Sequence, residues 1–136
     1  MDANAISSYT AWDAEQDGEL VRFAPQTVVE FGLQIPVLLT RAGYAEAIEW
    51  TRPGDEWMQS EDARFWDVLT MACVGVSHSS DPRRATFHVA RVPNCTKSST
   101  YSKARRASLL PMKVTVEGYS GEGDACLIIS LLEEDR

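Results

Sequence analysis

The spacing of apolar positions changes along this chain. After Ser60, the residues Phe65, Leu69, Ala72 and Val76 recur three or four positions apart, flanked by Trp66, Val68 and Cys73. That spacing predicts an amphipathic helix over about 60–76. Ser60 fits its N-cap, and Glu61, Asp62 and Asp67 put carboxylates toward the positive end of the helix dipole. From Thr86 the period drops to two. Phe87, Val89 and Arg91 fall on one face, and His88, Ala90 and Val92 on the other, which predicts a strand. Met112–Glu117 and Ala125–Leu132 predict two further strands, joined through the glycine-containing turn Gly118–Asp124.

The first half reads as shorter pieces. Ser8 or Thr10 caps a short helix over Ala11–Gln16, Asp17-Gly18 marks a turn, and Glu19–Phe23 reads as a short strand. Pro25 opens a helix near Thr27–Phe31 that Gly32 stops. Leu33–Leu39 is apolar but interrupted by Pro36, which predicts an edge strand or an extended lead-in. Thr40 caps a helix over Arg41–Trp50 with Ala42, Ala45, Ala47 and Ile48 facing inward, ended by Pro53-Gly54. Helices first and strands later give an α+β fold: a three-stranded antiparallel meander (about 86–132) packed by two main helices (about 41–50 and 60–76), with room for a short edge strand at 19–23. Residues 1–8 read as a flexible tail, 9–132 as a single domain and 133–136 as a charged tail. The polar stretch Pro93–Leu110 is long for a structureless connection, which marks it as mobile or functional.

Composition narrows the class. At 136 residues and 44% hydrophobic, the chain suits one domain with a core of its own. The N-terminus MDANAISSYT lacks an apolar core of the signal-peptide kind, and no apolar run is long enough to cross a bilayer. Three sparse cysteines, Cys73, Cys95 and Cys126, do not form a disulfide framework, so a cytoplasmic setting is expected. The charge is lopsided. The net charge is −7, yet residues 1–67 carry −9 and residues 68–136 carry +2, and 82–116 hold eight bases and no acid. A charge layout of this kind bears on partner choice, unless the basic segment lies against the acidic half.

The sequence carries few signs of reactive chemistry. There is no C-x-x-C, H-x-x-x-H or H-E-x-x-H spacing, so no metal site and no cofactor is expected. Cys95, with Lys97 nearby and His78 or His88 as a base, is the one arrangement that suits a small Cys/His enzyme, though no nucleophile signature surrounds it. There is no phosphate-binding loop, and Gly118–Gly123 reads as a hairpin. Glu46, Glu49, Asp55, Glu56, Glu61 and Asp62 make an acidic surface, with Trp50 and Trp57 flanking the Pro53-Gly54 turn. An exposed tryptophan beside acids suits protein binding, the alternative being that both rings cover the core. Arg83, Arg84, Lys103, Arg105 and Arg106 are the bases best placed for nucleic acid, with Tyr101 among them as a stacking ring.

Three stretches, Ala14-Glu15-Gln16-Asp17-Gly18-Glu19-Leu20-Val21, Gly32 through Pro36-Val37-Leu38-Leu39-Thr40-Arg41-Ala42, and Arg64-Phe65-Trp66-Asp67-Val68-Leu69-Thr70-Met71, together resemble a family of small proteins of unknown function carried by bacterial phages, plasmids and other mobile elements. Gly123-Asp124-Ala125 leading into Leu127–Leu131 fits the same pattern, whereas the basic Ser/Thr-rich stretch 93–110 departs from it. The resemblance brings no catalytic residues. It implies an accessory role such as blocking host defence, of the anti-CRISPR or anti-restriction type. The leading expectation is therefore a non-enzymatic inhibitor that binds a host protein or nucleoprotein defence complex through its acidic surface, without a membrane. The alternatives are a nucleic-acid-binding accessory factor using 83–113 and a small Cys/His enzyme.

Overall fold

The computed structural model describes residues 9–51, 60–92 and 108–135. The first half contains α1 (Ala11–Gln16), β1 (Leu20–Arg22), α2 (Pro25–Glu30), β2 (Val37–Thr40) and α3 (Arg41–Ala47). The second half contains α4 (Glu61–Ser77), β3 (Arg84–Arg91), β4 (Ser108–Gly118) and β5 (Ala125–Leu131). Local chemistry sets these boundaries. Thr10 and Asp13 form a capping box at α1, and Gly18 takes a φ of 80° in the turn that follows. The Thr40 hydroxyl accepts the Gly43 N–H at 3.0 Å, and Ser60 accepts that of Ala63 at 3.1 Å, so both expected caps start their helices.

The fold is α+β, and the expected meander is present as β3-β4-β5, but it is not the whole sheet. Five strands run in the order β1-β2-β5-β4-β3, with β2 parallel to β5 and the other pairs antiparallel. The segment 19–23 does supply an edge strand, β1. The segment after Pro36 is not an edge. β2 lies inside the sheet, Val37 opposite Leu127 and Leu39 opposite Ile129. Pro36 permits this because it precedes the ladder, and its carbonyl accepts the Leu127 N–H at 2.9 Å, so its missing donor leaves no gap. All four β2 residues are buried, as in a strand covered on both faces.

Helices α3 and α4 cover one face. Phe65, Val68, Leu69 and Ala72 of α4 meet Phe87, Val89, Met112, Val114 and Ile129 in the main core. On the other face, α1 covers the β1, β2 and β5 side, packing Ala11 and Ala14 on Leu20, Leu38, Cys126 and Ile128. The β3 and β4 side of that second face is open, with Thr86, His88, Ala90, Leu109 and Pro111 exposed. α4 comes closest to the sheet at Gly75, where a Cβ would lie 2.9 Å from the Thr86 carbonyl oxygen.

Several finer expectations change. α3 ends at Ala47, and it turns Gly43 and Ala47 inward while Ala42 and Ala45 face solvent. The cap fixes this phase: Gly43 sits where a Cβ would be 3.1 Å from the Thr40 hydroxyl and 3.6 Å from the Ile129 carbonyl. Val76, expected on the buried stripe, is 40% exposed. β4 begins at Ser108 rather than Met112, because Ser108–Leu110 continue the ladder opposite Val89–Arg91. The rest of the stretch 93–107 and the tail 1–8 lie outside the described residues.

Candidate functional site

The acidic residues singled out by sequence fall into three groups. Asp55, Glu56 and Trp57 lie outside the described residues. Glu46 and Glu61 are engaged inside the molecule. Glu46 accepts from Arg91 Nη2 at 3.1 Å and so ties α3 to the end of β3. Glu61 accepts the Tyr44 hydroxyl at 2.6 Å and the Trp50 backbone N–H at 3.3 Å, joining α3 to the start of α4. Burial, and then the Glu61 carboxylate, push the Tyr44 hydroxyl up to about 12, so it stays a neutral donor. Glu49 is half-buried, and Asp62 is exposed and has no ion pair among the described residues.

Trp50 takes the core-covering role rather than that of an exposed ring. It is buried, and the Arg64 guanidinium lies 5.1 Å from its ring centroid. Arg64 is itself 2% exposed and donates from Nη1 to the Val92 carbonyl at 2.9 Å. Burial and the nearby Arg91 guanidinium lower its pKa to about 10, which leaves it charged at neutral pH. Sequence patterning gives no hint of this buried arginine, because Arg64 stands beside Phe65 on the apolar stripe.

The described surface presents a different aromatic site. Trp66 of α4 is 43% exposed, and its ring centroid is 4.3 Å from that of Phe31, just after α2, at a tilt of 52°. Val29, 65% exposed, lies two residues before Phe31. Exposed acids flank the two rings along the chain: Asp62 one helical turn before Trp66, Asp67 the residue after it, and Glu30 the residue before Phe31. Asp62 and Asp67 have no ion pair among the described residues. Trp66 was legible as a large ring beside the apolar stripe of α4; its pairing with Phe31 was not, because that depends on how α2 docks.

A second ionic cluster is structural. Arg22 donates from Nε to Glu15 Oε2 at 2.7 Å and from Nη2 to Oε1 at 3.0 Å, and the Tyr119 hydroxyl donates to the same Oε1 at 2.6 Å. The forked guanidinium holds the Glu15 carboxyl below its usual range. The cluster pins α1 to β1 and to the turn after β4.

Of the basic candidates, Lys103, Arg105 and Arg106 lie outside the described residues. Arg83 and Arg84 sit side by side at the start of β3, exposed and without an ion pair among the described residues. Arg91 is taken by Glu46 and Ser108, and Lys113 donates to the Glu134 carbonyl. Cys95, the candidate nucleophile, lies outside the described residues, and His88 is exposed on the open side of the sheet. Among the described residues no three His, Cys, Asp or Glu side chains converge as metal ligands, and no helix is long and apolar enough to cross a membrane. No family model, curated protein or solved structure matches the chain.

Proposed function

We propose that the protein works by docking rather than by chemistry, and that it contacts a basic surface of a partner protein or nucleoprotein through the Trp66–Phe31 pair. The observation that carries this reading is the half-exposed ring pair, with the exposed acids Asp62, Asp67 and Glu30 close to it along the chain. A rigid ring supplies area at little entropic cost, and a rim of one charge sign speeds encounter and fixes register. The charge layout of the sequence supports the same direction, since residues 1–67 carry −9. A basic surface that normally holds nucleic acid is the natural complement. With the resemblance to mobile-element proteins, the partner class is a host defence complex, and the effect is inhibition by occupying its nucleic-acid site.

The test is capture from a bacterial lysate with the immobilised protein, followed by identification of what is held. Nucleic-acid-handling complexes are expected, released by competing duplex DNA and lost with the double variant Asp62→Lys/Asp67→Lys. Capture that is unchanged in that variant, or that DNA does not compete, contradicts the reading. The pair Arg83 and Arg84 supports a second reading, a nucleic-acid-binding accessory factor. A mobility shift with DNA and RNA that weakens steeply with salt would favour it over the first.

A further inference from the structure

Beneath the C-terminal half of α4 the sheet is incompletely covered. Gly75 holds the helix against β3, the edge strand, and on the other side of the helix a wedge opens over β4 and β5 toward Leu33. The result is an apolar cavity of about 220 Å³, walled by Ala72, Cys73 and Val76 of the helix and by Val114, Val116 and Leu127 of the sheet. Val76 and Val116 face it from the two sides and are 40% and 38% exposed, unusual for valines on opposed apolar faces. Arg83 lines the same cavity and its carbonyl accepts the Val116 N–H at 2.8 Å, whereas Arg84 pairs with Thr115 and leaves the sheet on the opposite face with Thr86 and His88. Both are exposed, and among the described residues neither has an ion pair. The nearest acid along the chain, Asp81, accepts the backbone N–H of Arg83 at 2.9 Å within the turn.

We infer that this cavity is a binding site for a small amphipathic anion, an apolar chain or single ring bearing one carboxylate, with its tail between Val76 and Val116 and its headgroup on Arg83. The size argues for a small ligand. Drug-sized sites run to roughly 300–1,000 Å³, whereas an apolar cavity of about 150 Å³ already accepts benzene. The lining argues for an apolar body, since the walls offer that body carbon and sulfur. Arg83 argues for the charge, because a guanidinium engages a carboxylate through paired N–H donors.

Amide chemical-shift mapping on the full chain tests this, with octanoate, octanol and inorganic phosphate as probes. Octanoate is expected to shift the amides of Cys73, Val76 and Val116 together with that of Arg83. Octanol is expected to reach the same cavity amides roughly tenfold more weakly, the size of one charge-assisted contact. Arg83→Ala should bring octanoate down to the level of octanol, whereas Arg84→Ala, on the opposite face, should leave octanoate binding in place. Val76→Trp, at a position already open to solvent, should fill the wedge and remove both. Octanoate should also slow alkylation of Cys73 in the unmodified protein, a readout that needs no variant. Equal binding of octanoate and octanol, phosphate binding as tight as octanoate, or an absence of shifts at the cavity would each overturn the assignment. So would a DNA duplex that shifts the arginine amides while octanoate shifts nothing, since that gives the arginines to nucleic acid.

Discussion

Gly75→Ala separates two opposed effects, and the structure decides between them. In an exposed helix interior the exchange is stabilising by about 0.8–1.0 kcal/mol, because alanine restricts the unfolded chain. At position 75 the added Cβ would stand 2.9 Å from the Thr86 carbonyl oxygen and 3.0 Å from the Phe87 Cβ. Both are fixed atoms of a paired strand, not the ends of flexible side chains. The helix must therefore move off β3, and overpacking of this kind costs about 1–3 kcal/mol. The propensity gain is incomplete as well, since Gly75 lies in the last turn of α4, which ends at Ser77. The net expectation is a loss of about 1–2 kcal/mol. Urea unfolding followed by far-UV circular dichroism measures it, with Ala63→Gly on the exposed side of the same helix as the reference. If Gly75→Ala raises the stability, the close approach of α4 to β3 is wrong, and with it the wedge that opens over β4 and β5.

Four further outcomes follow from named contacts. Thr40→Val removes both the cap of α3 and the 2.6 Å bond to Glu134, whose carboxylate also accepts the Leu131 N–H; a loss of about 1–2 kcal/mol is expected by denaturant titration, with Thr40→Ser close to wild type. Glu15→Gln should cost at most about 1 kcal/mol at neutral pH, because the pair is partly open to water. The folded-state pKa of Glu15 is lowered, so its contribution is complete above the ordinary carboxylate range and lost as pH falls through the lowered value. The gap between wild type and Glu15→Gln should therefore close in acid, and a gap that widens in acid would refute the Arg22 fork. Trp50→Ala should cost about 3–5 kcal/mol by the same titration if the ring covers the core, and under 1 kcal/mol if it is a surface ring.

What the sequence revealed, and what it concealed, follows the range of the interactions. Thr10, Thr40 and Ser60 were readable as caps because a capping hydroxyl acts within three residues. The period of Arg84–Arg91 was readable because alternation is local to one strand. The place of β2 was not. Three apolar residues after a proline are compatible with an edge, and only the docking of β5 beside them makes the strand internal. The fate of the acids shows the same limit. Glu46, Glu61 and Asp62 look alike in sequence, yet Arg91 takes the first, Tyr44 and Trp50 take the second, and the third has no ion pair among the described residues. Trp50 and Trp66 likewise exchange their expected prominence, because burial under Arg64 and pairing with Phe31 are tertiary events.

In the proposed function the Trp66–Phe31 pair makes the contact with a partner. Replacing Trp66 by alanine tests it most directly, since the ring stands half out of the fold and its loss leaves the core of α4 in place. Quantitative capture of the partner by wild type and Trp66→Ala, with matched circular dichroism, is the measurement. A centre of this kind is worth about 2 kcal/mol or more, so capture should weaken by roughly thirtyfold while the spectra coincide. Undiminished capture by a correctly folded Trp66→Ala protein would contradict the claim.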